Sequence, residues 1–176
     1  MLRVTEIPIK KAKHANKFGK LILEDGTVFD GMGFGYSTDV VGEAVFNTGM
    51  AGYTEALTDP SYSGQILTLT YPLVGNYGVP NMSKKDQDGI RQYFESDRIQ
   101  ARALVVHELS LTASHWNLDM TLDEWLYNEK IPGISGIDTR ALTTKLRTKG
   151  VMMAALEVSD KEIDESELKK KLESAK

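Results

Sequence analysis

The pattern of hydrophobic and polar residues predicts a series of short strands in the first half of the chain. Residues 20–29 read as two strands around the pair Asp25-Gly26, which is typical of a hairpin turn. Two further apolar segments, 43–49 and 66–71, predict two more strands. Between them, residues 50–58 predict a loop of small residues and a short helix that ends before a proline.

A run of closely spaced glycines, G-M-G-F-G at 31–35, follows the predicted hairpin. A phosphate-binding loop would require a helix after its glycines and, in the P-loop, a Lys-Ser/Thr pair. The sequence contains neither feature, so we interpret these glycines as positions that ease a bend or a bulge in the sheet.

The second half of the chain alternates between strand and helix patterns. Residues 90–99 have helical spacing, 103–109 form an apolar run, and Thr121 opens a capping box with Glu124. A short strand at 133–138 leads into a helix that begins at an Asp138 cap and ends at Gly150, followed by a strand at 151–158. This alternation predicts parallel pairing with right-handed crossovers.

The combined pattern predicts an α/β fold, a three-layer β/β/α domain with mixed parallel and antiparallel sheets. Residues 1–19 are rich in Lys and Arg without an apolar face, and they predict a flexible basic leader, with order beginning at Lys20. The domain itself is expected to span 20–158. The charged segment 159–176 carries Ile163, Leu168 and Leu172 at helical spacing and predicts a helical tail or a linker.

Composition narrows the classes of function. The net charge of −4 argues against a nucleic-acid partner, and no apolar run is long enough for a membrane helix. The N-terminus lacks the apolar core of a signal peptide, so we expect a cytoplasmic protein without a membrane partner. The chain contains no cysteine, which excludes a thiolate metal site or a cysteine nucleophile within these residues.

The sequence gives little support for a catalytic centre. His14, His107 and His115 do not stand at metal-ligand spacing, so no metal site is expected. No G-x-S-x-G motif is present, which argues against a hydrolase triad. Two loops remain unusual, N-T-G-M-A-G-Y at 47–53 and the stiff corner D-P-S-Y-S at 59–63.

These loops belong to three motifs that occur in order along the chain. They are L-E-D-G-T, then G-E-A-V-F-N-T-G-M-A-G-Y-T-E-A-L-T-D-P-S-Y-S-G-Q-I-L-T-L-T-Y-P-L-V-G-N-Y-G, then G-I-D-T-R-A-L-T-T-K-L-R-T-K-G. The ordered motifs resemble the N-terminal domain of the small, glutamine-hydrolysing subunit of carbamoyl-phosphate synthase. The resemblance runs from about residue 20 to about residue 158 and implies a swivelling-type β/β/α domain.

The resemblance also implies an enzyme, a carbon-nitrogen ligase of pyrimidine and arginine biosynthesis. In that family a downstream class I glutaminase domain releases ammonia from L-glutamine through a cysteine nucleophile. The ammonia reaches a large synthetase subunit, or a fused synthetase region, that makes carbamoyl phosphate from bicarbonate and ATP. This chain is therefore expected to need no cofactor of its own, whereas the synthetase partner uses ATP and Mg.

The same resemblance implies roles for particular residues. Ser61 matches the serine that contacts the bound glutamine, although an ordinary turn serine is the alternative. The ammonia path or the subunit interface would involve the loop positions Asn47, Gly49, Ala51, Tyr53, Gly75 and Asn76. Family members often carry Ser and Thr where this chain has Gly49 and Ala51, and a loop that needs small residues for packing is the alternative there.

Two hypotheses follow. The first is an enzyme domain that precedes a glutaminase domain; the segment 159–176 would then lead toward that absent domain, and the isolated chain would be inactive because it has no catalytic Cys. The second is a stand-alone interaction module that docks on a synthetase subunit and performs no chemistry.

Overall fold

The structure, a computed structural model, describes residues 7–175. In the first half of the chain the elements are β1 (Ile9–Lys11), β2 (Lys17–Leu23), β3 (Val28–Gly35), β4 (Asp39–Asn47), α1 (Tyr53–Thr58), a 3-10 helix (Pro60–Tyr62), β5 (Gln65–Leu69) and β6 (Leu73–Val74). In the second half they are β7 (Ala103–Val105), β8 (Glu108–Leu109), β9 (Thr112–Ser114), α2 (Leu122–Asn128), β10 (Pro132–Ser135), α3 (Thr139–Lys149), β11 (Met153–Ser159) and α4 (Glu165–Ser174).

Seven strands close into a barrel in the order β10-β3-β2-β11-β4-β5-β7. The neighbours β4, β5, β7 and β10 run parallel, and the remaining pairs are antiparallel. The predicted mixed α/β fold with parallel and antiparallel pairing is confirmed. The first half is less uniformly antiparallel than its hairpin suggested, because β4 and β5 are parallel neighbours.

Only one of the two predicted parallel crossovers exists. Strands β7 and β10 are parallel neighbours, and α2 lies between them in the chain. The prediction of a second parallel crossover through α3 is wrong, since β11 pairs antiparallel with both β2 and β4. The reason is that β11 fills the gap between two strands of the first half and does not lie beside β10.

The predicted hairpin is confirmed, but the predicted bulge is not. Strands β2 and β3 pair in continuous register through Gly31 and Gly33. A Cβ at Gly31 would lie 2.3 Å from the Ser135 carbonyl oxygen, and one at Gly33 would lie 2.7 Å from the Phe18 carbonyl oxygen. These glycines therefore allow close approach of neighbouring backbone in a regular sheet.

The helix caps predicted in the second half are confirmed. The Thr121 hydroxyl accepts from the Glu124 N–H at 3.1 Å, and the Asp138 carboxylate accepts from the Ala141 N–H at 2.8 Å. Gly150 ends α3 with φ +82°. On the inner face of α3, Leu142 and Leu146 are buried against the barrel.

The helix predicted over 90–99 is wrong. The described chain from 79 to 102 contains turns and isolated bridges but no helix. The Asp86 carboxylate accepts from the N–H groups of Asp88 and Ile90, and this turn replaces the first turn of a helix. Ile90 is exposed and Phe94 is buried, so their helical spacing does not produce one buried face.

The apolar run at 103–109 is interrupted as well. It forms the short strands β7 and β8, which belong to different sheets, because β8 pairs with β6 outside the barrel.

The basic leader predicted over 1–19 is ordered where the structure describes it. Strand β1 pairs antiparallel with β9, and β2 begins at Lys17 instead of Lys20. The carboxylate of Asp123, which is 1% exposed, accepts from the N–H groups of Lys13 and His14 at 2.8 and 2.7 Å. The buried Asp123 carboxylate holds the segment through the backbone N–H groups of Lys13 and His14. The charges of the side chains in this segment could not indicate such a contact. Residues 1–6 lie outside the described part.

The predicted helical tail forms α4, and its apolar side belongs to this domain. Leu168 and Leu172 are buried in a cluster with Ile22 and Ala155. Their burial therefore does not depend on another domain. Among the described residues, the structure has no helix that is long and apolar enough to cross a membrane.

Candidate functional site

The corner at 59–63 is held by its own hydrogen bonds. The Asp59 carboxylate accepts from the Ser61 N–H at 2.8 Å and caps the 3-10 helix, with Pro60 at its first position. The N–H of Tyr62 donates to the Asp59 carbonyl, and that of Ser63 donates to the Pro60 carbonyl. These three backbone N–H groups are therefore already used within the corner. The exposed hydroxyl of Ser61, which bonds to no described residue, remains available.

The corner is tied to the loop at 47–53 through one side chain. The Asn47 amide donates from Nδ2 to the Tyr62 hydroxyl at 3.1 Å, and its Oδ1 accepts from the Gly49 N–H at 2.6 Å. Asn47 is the last residue of β4, so the barrel fixes its backbone. One side chain thus connects the Ser61 corner, the small-residue loop and the barrel.

Tyr77 supports the other end of this loop. Its hydroxyl accepts from the N–H groups of Gly52 and Tyr53 at 3.0 and 3.3 Å, at the start of α1. The rings of Tyr53 and Tyr77 stack with centroids 4.2 Å apart. Burial raises the pKa of both phenols above the ordinary value of a tyrosine, so both hydroxyls are neutral at physiological pH.

A small cavity lies beneath the loop. Its volume is about 20 Å³, which is room for one molecule the size of water or ammonia. The predicted residues that line it are Asn47, Gly49, Ala51, Tyr53 and Asn76. Ser61 is not part of this lining.

Gly75 is also outside that lining. It is buried, and a Cβ there would lie 3.4 Å from side-chain atoms of Leu109 and Leu122. Its φ of +93° is favourable for glycine, so the structure assigns Gly75 to the turn and to packing.

The histidines are dispersed. The imidazole of His14 stacks on the Tyr127 ring at 3.7 Å, and His115 lies edge-on to Tyr77 at 6.2 Å. His107 has its Nδ1 3.0 Å from the Ile137 carbonyl oxygen. No group of three or more potential metal ligands occurs within the described residues 7–175.

The comparison with known proteins decides the family. The family model described as carbamoyl-phosphate synthase small chain, CPSase domain, matches residues 21–156. The chain belongs to this family. Its motifs at 42–78 and 136–150 lie within the matched region.

This chain is similar to several carbamoyl-phosphate synthase proteins over most of its length. The carbamoyl phosphate synthase small chain of Saccharolobus solfataricus is 53% identical over 87% of this chain and 41% of its own length. The mitochondrial carbamoyl-phosphate synthase [ammonia] of Aquarana catesbeiana is 47% identical over 88% of this chain and 10% of its own length. The multifunctional protein pyr1-3 of Dictyostelium discoideum is 48% identical over 86% of this chain and 7% of its own length. This chain therefore spans about two fifths of the small chain that it matches, and less of the larger proteins.

Sequence reasoning missed the two tyrosines that hold the site together. Tyr62 and Tyr77 lie within the quoted motifs D-P-S-Y-S and L-V-G-N-Y-G, but neither was selected as a site residue. A tyrosine next to turn residues carries a hydroxyl that usually finds a partner when it is partly buried. The positions of Tyr62 and Tyr77 among the turn residues of these two motifs were the sequence signal that could have indicated their role.

Proposed function

We propose that this chain is the N-terminal domain of the small, glutamine-hydrolysing subunit of carbamoyl-phosphate synthase. The observation that carries the proposal is the family match over residues 21–156, together with relatives named as small chains of which this domain forms about two fifths. The whole protein would make carbamoyl phosphate from L-glutamine, bicarbonate and ATP. Assignment of the barrel and its helices to the three-layer swivelling type is part of this proposal.

Ser61 contributes a hydroxyl at the edge of the glutaminase site. Asp59 and Pro60 hold the corner rigid, and the hydroxyl is exposed while the neighbouring N–H groups are engaged. A hydroxyl donates well to a carboxylate, and free glutamine carries one. The nucleophile would come from a downstream class I glutaminase domain, because these 176 residues contain no cysteine.

The small-residue loop faces the path of ammonia or the synthetase partner. Its cavity of about 20 Å³ would admit ammonia and exclude larger molecules. Gly49 has no side chain and Ala51 has only a methyl group, which keeps this space open. Support for the path is therefore steric, since neither residue has a side chain that hydrogen-bonds.

The partners and setting follow from the same proposal. A glutaminase domain and a large synthetase subunit, or a fused synthetase region, complete the enzyme in the cytoplasm. The synthetase partner uses ATP and Mg. Residues of this domain bind glutamine and hold the small-residue loop at 47–53 in place.

The nitrogen source tests the proposed function. One relative is named for ammonia and others are named small chains, so a match to this domain does not by itself select glutamine. We expect the intact protein with its synthetase partner to make carbamoyl phosphate from glutamine as well as from ammonia. Synthesis from ammonia alone would contradict the glutamine-dependent assignment, and absence of synthesis from either would favour a non-catalytic interaction module.

A further inference from the structure

A second and larger cavity lies at one end of the barrel, against α3. Its volume is about 580 Å³, which is within the range of sites for small metabolites. Its lining includes hydroxyl, imidazole and guanidinium groups, which belong to Thr48, Thr70, His107, Thr139, Arg140 and Arg147. The proposed function assigns no role to this cavity.

The topology explains why polar side chains meet there. Thr48 directly follows β4, Thr70 follows β5, and His107 follows β7 by two residues. These strands are consecutive parallel neighbours in the barrel, and β10, which leads into α3, continues the parallel set. Their carboxyl ends therefore meet at one edge, where ligands of parallel α/β sheets commonly bind.

Two guanidinium groups give the cavity a positive character. The guanidinium groups of Arg140 and Arg147 form no ion pair or hydrogen bond with any described residue, and both side chains are exposed. The one carboxylate in the lining, that of Asp138, is occupied as the cap of the Ala141 N–H. The local excess of cations contrasts with the net charge of −4 of the whole chain.

Five threonines line the cavity, and three of their hydroxyls are unused; the hydroxyls of Thr143 and Thr144 donate to backbone carbonyls of α3. Thr139 is 5% exposed, lines the cavity, and has a hydroxyl that bonds to no described residue. The hydroxyls of Thr48, which is exposed, and Thr70, which is partly exposed, likewise bond to no described residue, and the two residues belong to different strand ends. Unpaired hydroxyls beside unpaired guanidinium groups are a favourable arrangement for a multivalent oxyanion.

The ring of His107 is held in a fixed orientation at the cavity wall. Its Nδ1 lies 3.0 Å from the Ile137 carbonyl oxygen, and since a carbonyl only accepts, Nδ1 carries the hydrogen. The bond to Ile137 leaves Nε2 as the ring nitrogen without a partner among the described residues.

We propose that this cavity binds the phosphate group of a small molecule, held by Arg140 and Arg147 and by the hydroxyls of Thr48, Thr70 and Thr139. Guanidinium groups match the geometry of phosphate oxygens, and the cavity is large enough for a phosphate with a small organic group attached. The capped start of α3 is not the binding element. The site lies along one side of α3, because Arg147 is two turns beyond Arg140.

The test is a titration of the intact protein with inorganic phosphate and with glycerol phosphate at constant ionic strength, set with chloride. We expect saturable binding by calorimetry and a rise in the thermal midpoint. Arg147→Gln and Arg140→Gln should each weaken binding about tenfold, since each removes hydrogen bonds to a charged group. Lys149→Gln, which removes the same charge from α3 at a residue outside the cavity lining, should change binding less than about twofold.

The outcomes separate clearly. Tighter binding of glycerol phosphate would identify an organic phosphate as the ligand, and binding of inorganic phosphate alone would identify the free ion. An equal loss of phosphate binding in Lys149→Gln would overturn the proposal, and so would an equal rise in the thermal midpoint with chloride. Either result would show a general electrostatic effect of anions and no specific site. The titration uses neither glutamine nor ammonia, so its failure would leave the proposed function untouched.

Discussion

The amide of Asn47 donates to the hydroxyl of Tyr62 at 3.1 Å and joins two loops that are fifteen positions apart in the chain. Asn47 ends a barrel strand, and Tyr62 ends the 3-10 helix that presents Ser61. The position of the Ser61 hydroxyl is thus fixed relative to the barrel through this bond. The same amide accepts from Gly49 and fixes the start of the small-residue loop.

Removal of the Tyr62 hydroxyl should loosen the corner while Asp59, Pro60 and Ser61 stay unchanged. Tyr62→Phe leaves the Asn47 amide without its acceptor, and a bond of this kind contributes about 0.5–1.5 kcal/mol. In the intact enzyme we expect KM for glutamine to rise severalfold, with ammonia-driven synthesis unchanged. Tyr36→Phe, at a tyrosine outside the site, is the matched control. An equal rise in both variants would argue against a specific role of the Asn47–Tyr62 bond.

A large side chain at Ala51 should obstruct the loop cavity. Phenylalanine would fill the space of about 20 Å³ that this residue lines. Glutamine-driven synthesis should fall while glutamine hydrolysis and ammonia-driven synthesis continue, and Ala51→Ser should behave like the wild type. Unchanged coupling of hydrolysis to synthesis in Ala51→Phe would remove the ammonia path from this loop. Ala51 is a cleaner position than Gly49, where a Cβ would already lie 3.0 Å from the Asn47 Oδ1.

Stability should depend on pH through Asp25. The ammonium of Lys145 and the hydroxyl of Thr27 lower the pKa of the Asp25 carboxyl from 3.8 to about 2. Because the folded pKa is depressed, the stabilisation is present above pH 3.8 and is lost as the pH falls through about 2. The pair is partly exposed to solvent, so its contribution should be only about 0.5 kcal/mol.

The measurement is the difference in the free energy of unfolding between wild type and Asp25→Asn. We expect the wild type to be more stable at pH 6 and the difference to disappear near pH 2. A difference that is independent of pH would show that the carboxylate charge is not responsible. Asp30→Asn tests a second carboxylate of the same hairpin, one that pairs with Lys20 and not with Lys145.

Helix α4 should stabilise this domain by itself. Leu168 is 0% exposed and packs with Ile22 and Ala155, so Leu168→Ala should cost about 2–3 kcal/mol. Lys170→Ala, on the exposed side of the same helix, should cost less than about 0.5 kcal/mol. Equal small effects in urea unfolding would mean that α4 does not pack on the barrel.

Local signals in the sequence predicted local structure well. The Asp25-Gly26 hairpin and the caps at Thr121 and Asp138 each depend on residues within a few positions, and the structure confirms them. The short helix α1, ending before Pro60, was also predicted. Turn propensity and helix capping depend on residues within a few positions of one another, which is also the range of these sequence patterns.

Features that depend on distant partners were not predictable. Strand β11 pairs with β2 and β4, which lie more than 100 residues earlier, and no local pattern encodes that choice. The buried carboxylate of Asp123 orders the segment near His14 through its backbone. At the site, the motifs indicated the corner and the loop, while the Asn47–Tyr62 bond that joins them required coordinates.

The most direct test of glutamine binding by this domain is the nitrogen dependence of Ser61→Ala in the intact enzyme. Loss of a hydroxyl that donates to a carboxylate should lower kcat/KM for glutamine about tenfold or more, with ammonia-driven synthesis within about twofold of the wild type. Ser63→Ala, an exposed serine two positions away, should change neither rate. Equal loss with glutamine and ammonia, or no loss with glutamine, would contradict a glutamine-binding role for Ser61.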